Sequence, residues 1–508
     1  MTRILVAVTM LLLALVTEAH CNDKGAGARS IVILYENDVH CAIDGYKNMQ
    51  GLYNAIRQAD TCDVAMVSCG DFLQGALAGA LSQGKYVTDI MRVMSYDALT
   101  LGNHEFDYGV PRMMELLNEL QKPVTSVNFF KTDAENAVYQ PYVMKCFAGR
   151  KIAFVGVTTP ETMRSEAYAF VDAEGHRIYD LRPADTYRLV QDAVDAARKS
   201  GADYVVVLSH LGEEIRSTGI WSHGLVEATH GIDVVLDGHT HARIVRDEVA
   251  NNSGNKVPLT QTGTEFANVG KLIITADGRI MTELIPLGSI TYVDERVAAV
   301  TDSVKALIDK VSSRHIATLA TAMPVKTDDG VWIVRREQAA IGSVVAAAYR
   351  TATGAEIGLV NGGSLRNGLP AGDINYGNVI SVQPFDNHIC LIEATGEQIL
   401  GMLRKCTANY PKADGSFPHV AGMRYVLDTV THDVTGVEVE DGKTGRYTAI
   451  EPGRCYTVGV SDYYSNGGFY GTLKDCRLIK GSTKLTRDVL AEYLEHEFNG
   501  TTRNKKTD

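Results

Sequence analysis

The chain has 508 residues, 45% hydrophobic and 22% charged, a composition that excludes intrinsic disorder and collagen-like order. The length exceeds the roughly 250–300 residues at which a single core stops growing, so two or more domains are expected. With 49 Lys and Arg against 61 Asp and Glu, the net charge of −12 and the lack of a long basic run exclude a nucleic-acid polymer as partner; an anionic small molecule would be held by local cations or metals.

Arg3, the apolar run Ile4 to Val16 and Thr17-Glu18-Ala19 read as a secretory signal over residues 1–20. That run is short of the roughly 20 residues that span a bilayer, so the protein is expected to be exported, periplasmic or extracellular. Cys21 at the junction leaves attachment as a bacterial lipoprotein open, although Glu18 and His20 suit that processing poorly. No later stretch is long and apolar enough to span a membrane, and 501–508 is polar. Nine cysteines in an exported chain permit disulfides, with Cys62 and Cys69 the nearest pair and Cys390, Cys406, Cys455 and Cys476 clustered late; buried free thiols are the alternative. Their spacings do not suit a thiolate zinc site.

From Ser30 to about Ile290, short apolar runs read as buried strands: Ile31 to Tyr35, Val64 to Ser68, Ala98 to Leu101, Ile152 to Val157, Tyr204 to Leu208 and Ile232 to Leu236. Helical patterns at Met113 to Leu120, behind Pro111, and at Tyr187 to Ala197 fall between them and predict an α/β unit of sheet layers flanked by helices over 30–290. A charged helical segment, 293–320, is the expected connector. A second, mixed α+β unit over 321–500 carries an Ala-rich helix from about Gln338 to Thr351, turns at Asn361-Gly362-Gly363 and Asn466-Gly467-Gly468, and the alternating run Val437 to Glu440.

Chemistry-bearing side chains stand just beyond five of the predicted strands: Asp38 and His40; Asp71; Asn103 and His104; His210; and His239 and His241. In α/β folds ligands gather beyond the carboxyl ends of strands, so carboxylate, imidazole and amide groups at five such ends are the sequence image of a metal centre. Any one alone would more often be a helix cap or a satisfied histidine. A mixed oxygen and imidazole set suits zinc or manganese better than calcium or magnesium.

The order DxH, GDxxxG, GNHExD, strand-end His and GHxH resembles the calcineurin-like binuclear metallophosphoesterases, and with the second unit it is similar to the 5′-nucleotidase family over about Ser30 to Gly500. The resemblance implies an N-terminal β-sandwich flanked by helices and a C-terminal substrate-binding domain. It implies that Asp38, His40 and His241 hold one divalent metal, Asn103, His210 and His239 a second, and that Asp71 bridges them. A metal-bound hydroxide would be the nucleophile. His104 would stabilise the transition state and assist the leaving oxygen, with Asp107 orienting it.

On the same resemblance, Asn128 lies near the phosphate, Asn361 and Arg366 belong to an NGGxxR substrate loop, and Phe385 and Tyr463 sandwich the base. Arg335 or Arg336 contributes a further substrate contact, the register between them being open. Gln338-Ala339-Ala340-Ile341-Gly342 departs from the family's pattern, as does Phe469, which stands where many relatives place a ribose-binding acid. The implied activity is hydrolysis of nucleoside 5′-monophosphates, with UDP-sugars or 2′,3′-cyclic nucleotides as alternative substrates and an exported, non-catalytic nucleotide-binding protein as the alternative of another class. Oligomeric state is left open.

Overall fold

The computed structural model describes residues 29–499, apart from 173, 216–217, 466–467 and 483 and the side chains of 465, 469 and 499. The signal segment 1–20, Cys21, the polar tail 501–508, Asn466, Gly467 and the side chain of Phe469 lie outside the described residues. Among the described residues no helix is long and apolar enough to cross a membrane. Cys41, Cys62, Cys69, Cys390, Cys406, Cys455 and Cys476 are free thiols, so the nearest pair in sequence, Cys62 and Cys69, is not bridged.

Two six-stranded sheets form the first unit. One runs Ile280–Pro286, Asn268–Ile274, Ser30–Glu36, Cys62–Ser68, Ala98–Thr100, Val124–Thr125, its last four strands parallel. The other runs Arg243–Ala250, Lys256–Thr262, Val234–Leu236, Tyr204–His210, Arg150–Thr158, Tyr142–Phe147, its four central strands parallel.

Alternation along each strand explains why the sequence shows apolar runs rather than a polar and apolar rhythm. Ile31, Ile33 and Tyr35 turn inward and meet Ile152, Phe154, Val206, Leu208 and Val234 of the opposing sheet. Val32 and Leu34 turn outward and are covered by the helices Tyr46–Gln58, Lys85–Arg92 and Val110–Leu120. On the far side Val155, Val205 and Val207 pack on the helix Thr186–Lys199. With both faces of each sheet buried, the middle positions of the central strands are apolar on both faces.

The segment expected to connect the units is the helix Glu295–Ser312, started by Asp294, whose side chain accepts a hydrogen bond from the Val297 amide. Val297, Val304 and Ile308 belong to the first unit's core. Spaced seven and four apart, they lie on one face of the helix and seat it against that unit. The chain passes into the second unit at Ser313 and Arg314, because the next strand, His315–Leu319, pairs with Gly372–Asn375.

In the second unit a five-stranded sheet, in the order Pro418–Ala421, Ile357–Asn361, Cys455–Ser461, Ile389–Thr395, Arg477–Lys480, separates two cores. One is built on the helices Ala340–Thr353 and Thr486–Asn499, the other on Gly396–Thr407.

Candidate metal centre and substrate cleft

The carboxyl ends of strands from both sheets meet at one rim. Asp38 and Asp71 are buried there with His210, and three imidazoles converge on their carboxylates. Asp38 Oδ1 lies 3.4 Å from His241 Nε2, 3.8 Å from His210 Nε2 and 3.9 Å from His40 Nε2. Asp71 Oδ2 lies 3.1 Å from His210 Nε2 and 3.8 Å from His40 Nε2. The Nε2 atoms of His40 and His241 are 3.0 Å apart. Asn103 Oδ1 and His239 Nδ1 are 2.9 Å apart, and the rings of His239 and His210 have centroids separated by 5.5 Å. All seven residues expected as metal ligands are therefore drawn into one chain of contacts.

This arrangement stores local strain at the rim. Asp38, His40, Asp71, His239 and His241 all have φ between 46° and 82°, a region that costs a non-glycine residue of order 1 kcal/mol. Buried Asp38 Oδ1 and His210 Nε2 make no well-aligned hydrogen bond, although His241 Nε2 and Asp71 Oδ2 stand 3.4 and 3.1 Å from them. Two buried carboxylates, facing imidazole nitrogens and unsatisfied polar atoms form a donor set that a divalent cation completes, so the residues present fit a metal centre.

The motif glycines follow from close approach. A Cβ on Gly102 would stand 2.1 Å from Asp71 Oδ1, and one on Gly75, itself at φ 132°, would stand 2.1 Å from the His40 carbonyl oxygen.

Electrostatics follow the same geometry. Burial opposes ionisation of Asp38 and Asp71, yet the neighbouring histidines hold both below the ordinary carboxylate range, Asp71 furthest. His40 is pushed down to about 4, burial outweighing the carboxylates. For His210 the balance reverses: burial works against its charge, but Asp71 and Asp38 push its pKa up to about 10.

Beside this rim, His104 Nδ1 lies 2.9 Å from Asp107 Oδ2, while the His104 amide donates to Asp71 Oδ1 at 2.8 Å. Burial again disfavours the charged ring, but Asp107 and Asp71 push its pKa up to about 10. His104 is thus held as an imidazolium with Nδ1 committed to Asp107 and Nε2 left for chemistry.

The second unit brings exposed Arg366 near this dyad: partial loss of hydration lowers its pKa, and the charges of Asp107 and Glu265 act the other way. Its guanidinium lies 5.9 Å from the Phe385 ring centroid. Of the adjacent pair, Arg335 is the one beside Arg366; burial and that second guanidinium push its pKa down to about 10. Arg335 also stacks over Trp332, 4.0 Å from the ring centroid, with its Nε buried and unpartnered. Arg336 turns to exposed Glu337, 3.9 Å away.

Asn128 and Asn361 direct their amides inward. Asn128 bonds the Thr158 carbonyl (2.7 Å) and amide (3.1 Å), and Asn361 bonds Gly415 O (3.0 Å) and accepts from Ser364 Oγ (2.6 Å). Tyr463 lies beneath Gly468, where a Cβ would come within 2.5 Å of its ring.

Sequence reasoning left several working residues unassigned. Glu105, buried within the GNHExD string, accepts hydrogen bonds from the amides of Asp71, Phe72, Leu73 and Gly102, clamping the Asp71 loop to the Asn103 loop. Glu161, beyond the Arg150–Thr158 strand, adds a sixth strand end to the rim, 3.2 Å from His239 Nε2. Glu166 joins His104 and Asp107 in a cluster, its pKa raised to about 8 by burial and by Asp107. A sixth strand with an acid just past its end was legible in the sequence; which backbone or ring that acid meets was not.

Comparison with known proteins agrees with this layout. The family model described as calcineurin-like phosphoesterase matches residues 31–243, and that described as 5′-nucleotidase, C-terminal domain, matches residues 316–473. A trifunctional nucleotide phosphoesterase of Bacillus subtilis is 25% identical over 491 residues, covering 87% of this chain, which spans only 32% of that longer protein. A 5′-nucleotidase of Vibrio parahaemolyticus is 24% identical over 520 residues, covering 92% of this chain and 89% of its own length. A crystal structure of a 5′-nucleotidase precursor from Thermus thermophilus shares the fold with a TM-score of 0.75 at 22% identity, over 92% of this chain and 97% of the other. Two matched domains in this order, with the metal centre in the first, place the chain in the 5′-nucleotidase family and make it a metal-dependent phosphoester hydrolase.

Proposed function

We propose that the protein is an exported 5′-nucleotidase that uses two divalent metals, zinc or manganese, and releases phosphate from nucleoside 5′-monophosphates. The supporting observation is the pair Arg335 and Arg366, two guanidiniums without a hydrogen bond or ion pair to a side chain among the described residues: Arg366 is exposed beside Phe385 and near Asp107, and Arg335 is half-buried over Trp332. Accessible cations with no paired side chain suit an anionic, planar ligand, for which Arg offers forked donors and Phe385 a stacking face.

Asp38, His40 and His241 would hold one metal, Asn103, His210 and His239 the other, and Asp71 both. When bound, such a pair of cations lowers the pKa of water and draws charge from phosphoryl oxygens. His104, kept protonated by Asp107, donates to the departing ester oxygen, while Arg366 and Arg335 hold the anion in line with it. The N-terminal signal supports export, and sequencing the first residues of secreted protein tests it: cleavage near Ala19 is expected.

The test of activity is phosphate release from AMP with zinc or manganese, beside His104→Ala. Loss of a general acid predicts a fall in kcat of about 10²–10⁴-fold with metal content unchanged. A second reading, UDP-sugars or 2′,3′-cyclic nucleotides as main substrates, draws support from the Bacillus subtilis relative, which is named trifunctional. Turnover of those substrates without release from AMP would favour it.

A further inference from the structure

His239 is held between two oxygens. Its Nδ1 lies 2.9 Å from Asn103 Oδ1 and its Nε2 3.2 Å from Glu161 Oε2. Its backbone is fixed independently, with φ at 82° and the amide donating to Asp38 Oδ2 at 2.9 Å. The His239 side chain is 7% exposed and that of Glu161 22%, so water competes weakly for either contact.

A neutral imidazole has one proton for these two oxygens. With the proton on Nδ1, the Nε2 lone pair would face a carboxylate, an electrostatic clash in a water-poor site. With the proton on Nε2, that N–H meets the stronger acceptor, and the Nδ1 lone pair and the Asn103 carbonyl oxygen then converge. Two converging lone pairs 2.9 Å apart repel unless a cation lies between them.

We propose that Glu161 is a positioning residue for His239: its carboxylate accepts the proton of His239 Nε2 and thereby keeps Nδ1, beside Asn103 Oδ1, free to bind a divalent cation. The same carboxylate fixes the ring's rotation, because the acceptor lies on the side opposite the cation. An acidic partner on the outer nitrogen of a ligating histidine raises that ligand's basicity, and its removal typically weakens metal binding by about 10–100-fold. Glu161 stands just beyond the end of the Arg150–Thr158 strand, so the centre draws on six strand ends rather than five.

The inference rests on the two-metal reading, and one titration separates the two. Metal-free wild-type protein is titrated with Mn²⁺ by calorimetry; fewer than two equivalents would defeat the two-metal reading whatever Glu161 does. Given two equivalents, E161Q is expected to weaken one by about 10–100-fold and leave the other unchanged, with the unfolding temperature of the metal-free protein unaltered. Two unchanged equivalents, or two weakened alike, would overturn the assignment. A second measurement needs no variant: ¹⁵N NMR of the zinc-loaded wild type should show the His239 proton on Nε2, and a proton on Nδ1 would overturn it.

Discussion

His104 shows how one contact sets the chemistry of a side chain. Its ring would lose its proton near neutrality if burial alone acted, yet Asp107 at 2.9 Å and Asp71 beyond it keep it protonated to about pH 10. An acid works below its pKa, so activity carried by His104 persists through neutral pH and falls as pH rises through the ring's pKa. Asp107→Asn removes the largest favourable charge, and the alkaline limb of kcat/KM is expected to move to lower pH, read from a rate profile between pH 6 and 10.5. An unmoved limb would assign that limb to another group.

Between residues and whole strands, the loops that carry the ligands are held by buried acids rather than by packing. Glu105 takes four backbone amides from two loops at 2.6–3.1 Å. Glu105→Ala leaves these donors buried without partners, and at about 1–3 kcal/mol per donor a loss of at least about 3 kcal/mol is expected in urea unfolding. Metal content should fall with it, since Asp71 and Asn103 hang on the same clamp. The string GNHExD displayed Glu105 and its Gly102 partner, but the other three partners lie about thirty residues upstream, in a loop that only the fold lays against it. The helix Glu295–Ser312 makes the same point for an element: its charged face reads as a connector, while Val297, Val304 and Ile308 bind it into the first core.

Across the molecule, the two units are joined beside the cleft. Arg487, 7% exposed, pairs with Asp386 at 2.6 Å and reaches the Ala80 carbonyl of the first unit at 3.4 Å, while Asp386 accepts from Gln83 of that unit at 2.5 Å. Asp386 follows Phe385 directly, so this latch fixes the aromatic face of the cleft as well as the contact between units. Arg487→Ala strands Asp386 without its cation, and a loss of about 3 kcal/mol is expected in thermal unfolding with metal stoichiometry intact. The chain itself crosses between the units only at Ser313 and Arg314, between the helix Glu295–Ser312 and the strand His315–Leu319.

The sequence by itself determined the alternation of strands and helices and the seven residues gathered at strand ends, because apolar periodicity and position after a strand are local properties. Its motif order also pointed to the family. Only the tertiary structure decided that Arg335 rather than Arg336 stands beside Arg366, that Glu105 clamps two loops, that Glu161 meets His239, and that Arg487 bridges the units. Each depends on which distant backbone or ring comes within about 3 Å, and a hydrogen bond or ion pair carries no trace of its partner in the spacing of the residues that make it.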